Sequence, residues 1–228
     1  MKLIFFVRHV DTDKNVLSRF SSSSLGENIT EHGLVQLREL VEGFRSFKND
    51  AGVNFSKIYF SPSDRAKRTA ELLASKLSIS PIELPNFDSI DSGPFSGLTE
   101  SQVQEVAPDF LRELALYRAG LLSSYAIGLP TSAEALHDFE ARIVHTLENI
   151  IDDEECDAAI VVSHRSPITA SLIHFARQAH AYPNDFYGYV DLSTGGTSVV
   201  ETVAGEPRIL AVNVSPVRLH SSVMEIFD

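Results

Sequence analysis

The sequence predicts an α/β fold in three layers, a sandwich with helices on both faces of a mostly parallel central sheet. Three observations carry this expectation. Short, nearly continuous apolar runs (LIFFV from Leu3, KIYF from Lys57 and AAIVVS from Ala158) have the character of strands buried on both faces. Helical patterns follow these runs along the chain, the alternation that builds parallel sheets. Finally, 228 residues with 43% hydrophobic and 22% charged side chains suffice for one full core, so residues 1–228 are expected to form a single domain.

The elements follow in order. The first strand runs through residues 2–10 and ends on Arg8 and His9. The polar, serine-rich DTDKNVLSRFSSSSLGEN then reads as a long loop over the strand end. Thr30 caps a helix from Glu31 to about Phe47, with Leu34, Leu37, Val41 and Phe44 at helical spacing. Lys57–Phe60 is a buried strand, and Ser63 or Asp64 caps a helix that carries Arg65 and Arg68 in its first turns. Residues 81–97 are rich in turn formers, and Thr99 or Ser101 opens a helical stretch to about Leu122. Residues 130–152 form an amphipathic helix with Leu136, Phe139, Ile143, Leu147 and Ile150 on one stripe. Residues 158–163 make a strand and 165–179 a helix. The runs 197–203 and 208–214 form a terminal hairpin around AGEP.

A formal net charge of −12 argues against nucleic-acid and anionic-membrane partners, so an anionic substrate must be drawn by a local basic pocket. No apolar run is long enough to span a bilayer, and Arg8 and His9 interrupt the amino-terminal run before any signal-peptide cleavage pattern. The single cysteine, Cys156, allows no internal disulfide, and a cytoplasmic location is expected. HExxH, CxxC, calcium-loop, P-loop and GxGxxG patterns are all missing, so neither metal nor cofactor is expected. His137 and His145 lie two turns apart and read as surface or stripe-edge residues. Nothing in the sequence indicates an oligomeric state.

In open parallel sheets ligands bind beyond the carboxyl ends of the strands. That rule gathers His9, the turn from Ser61 to Arg65, and His164 on one edge. A neutral imidazole is a good nucleophile near pH 7, and it approaches a phosphate dianion only when cations cancel the repulsion. Arg8 suits that task, because a guanidinium binds phosphate oxygens bidentately. Arg65 is a second such cation, since a positive charge in a first helical turn opposes the helix dipole and needs a reason to be there. Arg68 follows one turn later.

Together RHVDTDKN, SPSDRAKRTA and VVSHRSP resemble the motif blocks of the histidine phosphatase superfamily, which includes the cofactor-dependent phosphoglycerate mutases. The resemblance spans Lys2 to about Val214 and implies a phosphoglycerate mutase-like fold. It implies that His9 becomes phosphohistidine and that Arg8, Arg65 and His164 complete the phosphate pocket. It further implies that Asn15 contacts the phosphate, that Asp11 and Thr12 fill the family's usual Glu-Thr, and that Glu134 matches the Glu of a Gly-Glu-Ser helix start. Thr12, Asn15 and Glu134 are thereby expected as substrate contacts, and Arg165, beside His164, is expected as another.

The chain departs from the family pattern at Val10 in place of a Gly, and at Arg165-Ser166 in place of Gly-Gly. The third departure is in FDSIDSGPFSG, where Ser89 and Ser96 stand in place of two Glu, the first of them the general acid. Asp88, Asp91 and Glu134 are the candidates to replace that acid, with Asp88 favoured by adjacency. The expected activity is metal-independent phosphomonoester hydrolysis through phosphohistidine, on a small phosphorylated metabolite or a phosphoprotein. Mutase-type phosphoryl transfer and phospho-ligand binding without turnover are the alternatives.

Overall fold

Successive side chains of a strand point to opposite faces of its sheet, and in this protein both faces are covered. The computed structural model describes residues 1–17, 19–20, 28–153, 156–219 and 221–222. In strand β1 (Lys2–Arg8), Leu3, Phe5 and Val7 enter one apolar core while Ile4 and Phe6 enter another. Helices α2 (Glu31–Ala51) and α3 (Asp64–Leu77) close the first core. There Phe5 meets the rings of Phe44, Phe47 and Phe55 edge-on, with centroids 5.7, 5.3 and 5.1 Å away. Helices α6 (Leu136–Ile151) and α7 (Arg165–Gln178) close the second, through Phe139, Ile143, Leu147, Ile168 and Leu172.

Among the described residues the sheet has six strands. Beside β1 they are β2 (Phe55–Phe60), β3 (Pro81–Glu83), β4 (Ala158–Ser163), β5 (Thr197–Val203) and β6 (Glu206–Val214), in the order β3-β2-β4-β1-β5-β6. β3, β2, β4 and β1 run parallel, and the terminal hairpin joins antiparallel through β5. Its turn is Ala204-Gly205, both at positive φ (51° and 86°), the backbone a two-residue hairpin loop demands. Register positions the site: Arg8 pairs with Ser163 and Phe60 with Val162, so His9, His164 and Ser61 leave the sheet side by side.

Several boundaries differ from the expected ones for physical reasons. The long loop contains the short helix α1 (Asp13–Val16), and its residue 18 and residues 21–27 lie outside the described residues. α2 continues past Phe47 until Gly52 closes it in the left-handed conformation, and Leu34 falls off the apolar stripe at 47% exposure. Gly33 in its first turn is indispensable for packing, because a Cβ there would stand 2.2 Å from the carbonyl oxygen of Asp11. β3, hidden in the turn-rich segment, is an edge strand, where proline is tolerated.

The helical stretch after Thr99 breaks into α4 (Glu100–Val106) and α5 (Pro108–Arg118) because the residue before a proline avoids the helical region; Ala107 sits at φ −147°, ψ 63°. α6 begins only at Leu136, after turns that hold Glu134 elsewhere. Cys156 is buried, its thiol within reach of the Ala158 carbonyl. Among the described residues no helix is long and apolar enough to cross a membrane.

Candidate active site

His9 follows the last residue of β1 and is 3% exposed. Its Nδ1 lies 2.9 Å from the Val10 carbonyl oxygen, an acceptor, so Nδ1 carries the proton and Nε2 keeps its lone pair. Burial, then the neighbouring His164, Arg65 and Arg8, hold its pKa well below the ordinary 6.5. The Val10 N–H is itself bonded to the Thr69 hydroxyl at 3.3 Å, which fixes the turn that aims the ring. The His164 ring faces it at a centroid distance of 5.2 Å.

A chain of hydrogen bonds runs behind His9. Arg65, buried in the first turn of α3, donates Nε–H to His164 Nδ1 at 3.0 Å. His164 therefore accepts at Nδ1 and, when neutral, carries its proton at Nε2, which lies 3.0 Å from Asp88 Oδ1. Ser61 and Ser63 hydroxyls lie 2.8 and 2.9 Å from the same nitrogen. Burial and Arg65 push the His164 pKa down to about 3, against the pull of Asp88.

Burial alone would raise the Asp88 pKa. It is held well below the usual carboxylate range by His164, the Ser89 N–H and the Ser61 hydroxyl. The carboxylate is turned toward His164 and does not line the cavity. This placement differs from the one expected of a general acid: Asp88 contacts His164 and, through it, Arg65.

Arg8 donates Nη1–H to the Leu192 carbonyl, and its buried Nε has no hydrogen-bond partner among the described residues. Burial first and Arg165 second lower its pKa to about 10. Asn15 Oδ1 accepts from the Thr12 N–H (3.1 Å) and hydroxyl (2.9 Å), which leaves its Nδ2 hydrogens for an acceptor in the cavity it lines. Thr12 is wholly buried and does not line the cavity, so it orients Asn15 and is not itself a substrate contact. Asp11 ties the strand end to α2 by accepting the Thr30 hydroxyl at 2.7 Å. Arg68 points outward.

These groups floor a cavity of about 370 Å³ whose wall carries the rings of Phe20, Phe95, Phe110, Tyr117, Phe139, Tyr187 and Tyr189. Ser89 meets Ser166 across it, hydroxyl to hydroxyl at 3.0 Å, where the family pattern has an acid. Of the three candidate carboxyls only Asp91 lines the cavity, its Oδ1 accepting from Gly93 N–H at 2.9 Å. Glu134 is not a substrate contact: it grips Arg142 with both oxygens (2.6 and 2.8 Å) and accepts the Asp91 N–H at 3.1 Å. Arg142 in turn donates to the carbonyls of Asn86, Asp88 and Ser89, clamping the loop that carries Ser89 and Asp91. Sequence reasoning missed Arg142, whose clamp follows no spacing rule, and also the buried Lys14 beside the floor. His137 and His145 are exposed and remote from this cavity, as expected for stripe-edge residues.

Among the described residues no three His, Cys, Asp or Glu side chains converge to hold a metal ion. Residues 4–215 match the sequence profile of the histidine phosphatase superfamily, branch 1. Solved structures of similar fold include a mycobacterial glucosyl-3-phosphoglycerate phosphatase (TM-score 0.74, 20% identity, 94% of this chain and 100% of that one). The phosphoserine phosphatase of Entamoeba histolytica is similar too (0.73, 18%, 95% and 100%), as is the α-ribazole phosphatase of Shigella flexneri (0.72, 17%, 93% and 96%). No curated protein sequence matches significantly. At these identities the structural likeness is one of fold.

Proposed function

Because this chain belongs to the histidine phosphatase superfamily, branch 1, we propose that it hydrolyses phosphomonoesters through a phosphohistidine at His9. The observation that carries this reading is a buried, neutral imidazole whose unprotonated Nε2 opens on a cavity also lined by Arg8 and Arg65. Phosphoryl transfer asks mainly for position and charge stabilisation, which two guanidiniums and the N–H groups opening α3 and α7 supply.

In the first step the His9 Nε2 lone pair forms a bond to phosphorus while the bond from phosphorus to the leaving oxygen breaks. Asp91, the candidate carboxyl on the cavity, gives that oxygen a proton. In the second step water attacks phosphorus, the P–N bond breaks, and Asp91 takes up the water proton, so that inorganic phosphate leaves and His9 is regenerated. Arg8, Arg65 and the Asn15 amide hold the equatorial oxygens.

A cavity of this size, with seven aromatic rings on its wall, favours a small organic phosphate with an apolar body over a phosphoprotein chain. The relatives are named for three different phosphate esters, consistent with one phosphoryl chemistry serving many leaving groups. The test is phosphate release from para-nitrophenyl phosphate with excess EDTA, by wild type and His9→Ala. Turnover is expected to survive the chelator and to fall by about 10⁴-fold or more in the variant. A variant that keeps a tenth of the rate, or a wild type that works only with added metal, overturns the reading.

A further inference from the structure

Arg165 is a cation that the hydrolysis of a simple phosphate ester does not require. It stands first in α7, whose opening turn carries no acidic residue and whose N–H groups already present positive charge. Its guanidinium lines the cavity, stacks over the Tyr189 ring at 5.0 Å from the centroid, and donates Nη1–H to the Tyr189 hydroxyl at 2.7 Å. Two independent contacts thus hold it in one orientation. Among the described residues it has no carboxylate partner. It disfavours the ionised form of Arg8, so the two guanidiniums repel each other.

A phosphoryl group bound between Arg8 and Arg65 already faces two guanidiniums, and Arg165 remains over. The wall next to it is aromatic: Tyr117 meets Tyr189 edge-on at 5.4 Å and donates its hydroxyl to the Gly188 carbonyl. In a chain of net charge −12, a guanidinium held on a cavity with no carboxylate bonded to it among the described residues marks the place of a ligand's negative group.

We infer that Arg165, set by Tyr189, forms a second anion subsite beside the phosphoryl pocket. The preferred substrate is therefore a phosphomonoester that carries a further acidic group, a carboxylate or a second phosphate, on an apolar body. This inference rests on the phosphatase reading above and names its substrate class.

The test compares phenyl phosphate with meta- and para-carboxyphenyl phosphate and with the matching phenylene bisphosphates, in wild type, Arg165→Ala, Arg165→Lys and Tyr189→Phe. Wild type is expected to favour at least one acidic series by roughly ten- to a hundredfold in kcat/KM, mostly through KM, as a charge-assisted hydrogen bond implies. Which series wins separates carboxylate from phosphate as the second group. Arg165→Ala should bring the ratio close to one, with Lys retaining part of it and Tyr189→Phe losing part.

A wild type without preference, a preference that survives Arg165→Ala, or an equal loss on every substrate overturns the subsite. If no compound is turned over, the phosphatase reading fails instead. Calorimetric titration of the same compounds into wild type and Arg165→Ala then decides the subsite by the same ratio.

Discussion

The floor and the wall of the cavity are built on different terms. On the floor, Arg8, His9, Arg65 and His164 come from strand ends and first helical turns, both imidazoles are 3% exposed, and the proton on each follows from its bonded neighbours. The wall comes from Phe20, from the segments between β3 and α6, from Phe139, and from Tyr187 and Tyr189; α5 buries no residue completely, and Asp91 is exposed. A rigid, buried floor keeps the phosphoryl chemistry fixed, while a wall of loops and exposed helix faces lets leaving-group recognition change without unfolding the core.

The comparison breaks first at Asp91, the wall side chain assigned a part in the chemistry. Asp91→Asn should lower kcat on alkyl phosphates by about 10²–10⁴-fold and leave para-nitrophenyl phosphate, whose leaving group needs no proton, nearly untouched. Equal effects on both would move the acid elsewhere. On the floor, Arg65→Ala should cost about 10²–10³-fold on both substrates, since it removes charge stabilisation that every phosphoryl transfer needs. Asp88→Asn sharpens the contrast: the amide still accepts from His164 Nε2, so a loss of about tenfold, alike for alkyl and aryl phosphates, is expected of a positioning residue. A loss confined to alkyl phosphates would make Asp88 the acid after all.

The smallest expected effect is on stability. His9 and His164 have folded-state pKa values below 6.5, so below that pH the unfolded chain binds protons that the folded chain refuses. Stability therefore falls as pH drops below 6.5, by up to about 1.4 kcal/mol per pH unit for each imidazole until its folded value is reached. Asp88 acts in the same direction lower down, its contribution being lost below the ordinary 3.8. Urea unfolding at about pH 7.5 and about pH 5 should show a steeper loss in wild type than in His9→Asn. Equal losses would mean that the His9 imidazole is not held neutral by its burial.

The same division decides what could be read from the sequence. β1, β2 and β4 announce themselves because a strand buried on both faces is a continuous apolar run, and the switch from strand to helix then carries His9, Arg65 and His164 to one edge. Side-chain direction on the loops follows no such periodicity. Asp88 adjoins the vacant acid position, yet it turns toward His164 because a buried imidazole N–H requires an acceptor. Glu134 is drawn to Arg142, eight residues along the chain, and stands before the start of α6. β3 escapes notice because it is three residues long and opens on a proline.

The central claim is that His9 carries the phosphoryl group, and its most direct test is rapid-quench trapping during turnover, with peptide mass spectrometry under alkaline conditions that preserve phosphohistidine. The structure predicts one phosphoryl group on the peptide that contains His9, on the imidazole itself, and none in His9→Ala. Turnover without a covalent adduct, or an adduct on any other side chain, would contradict it.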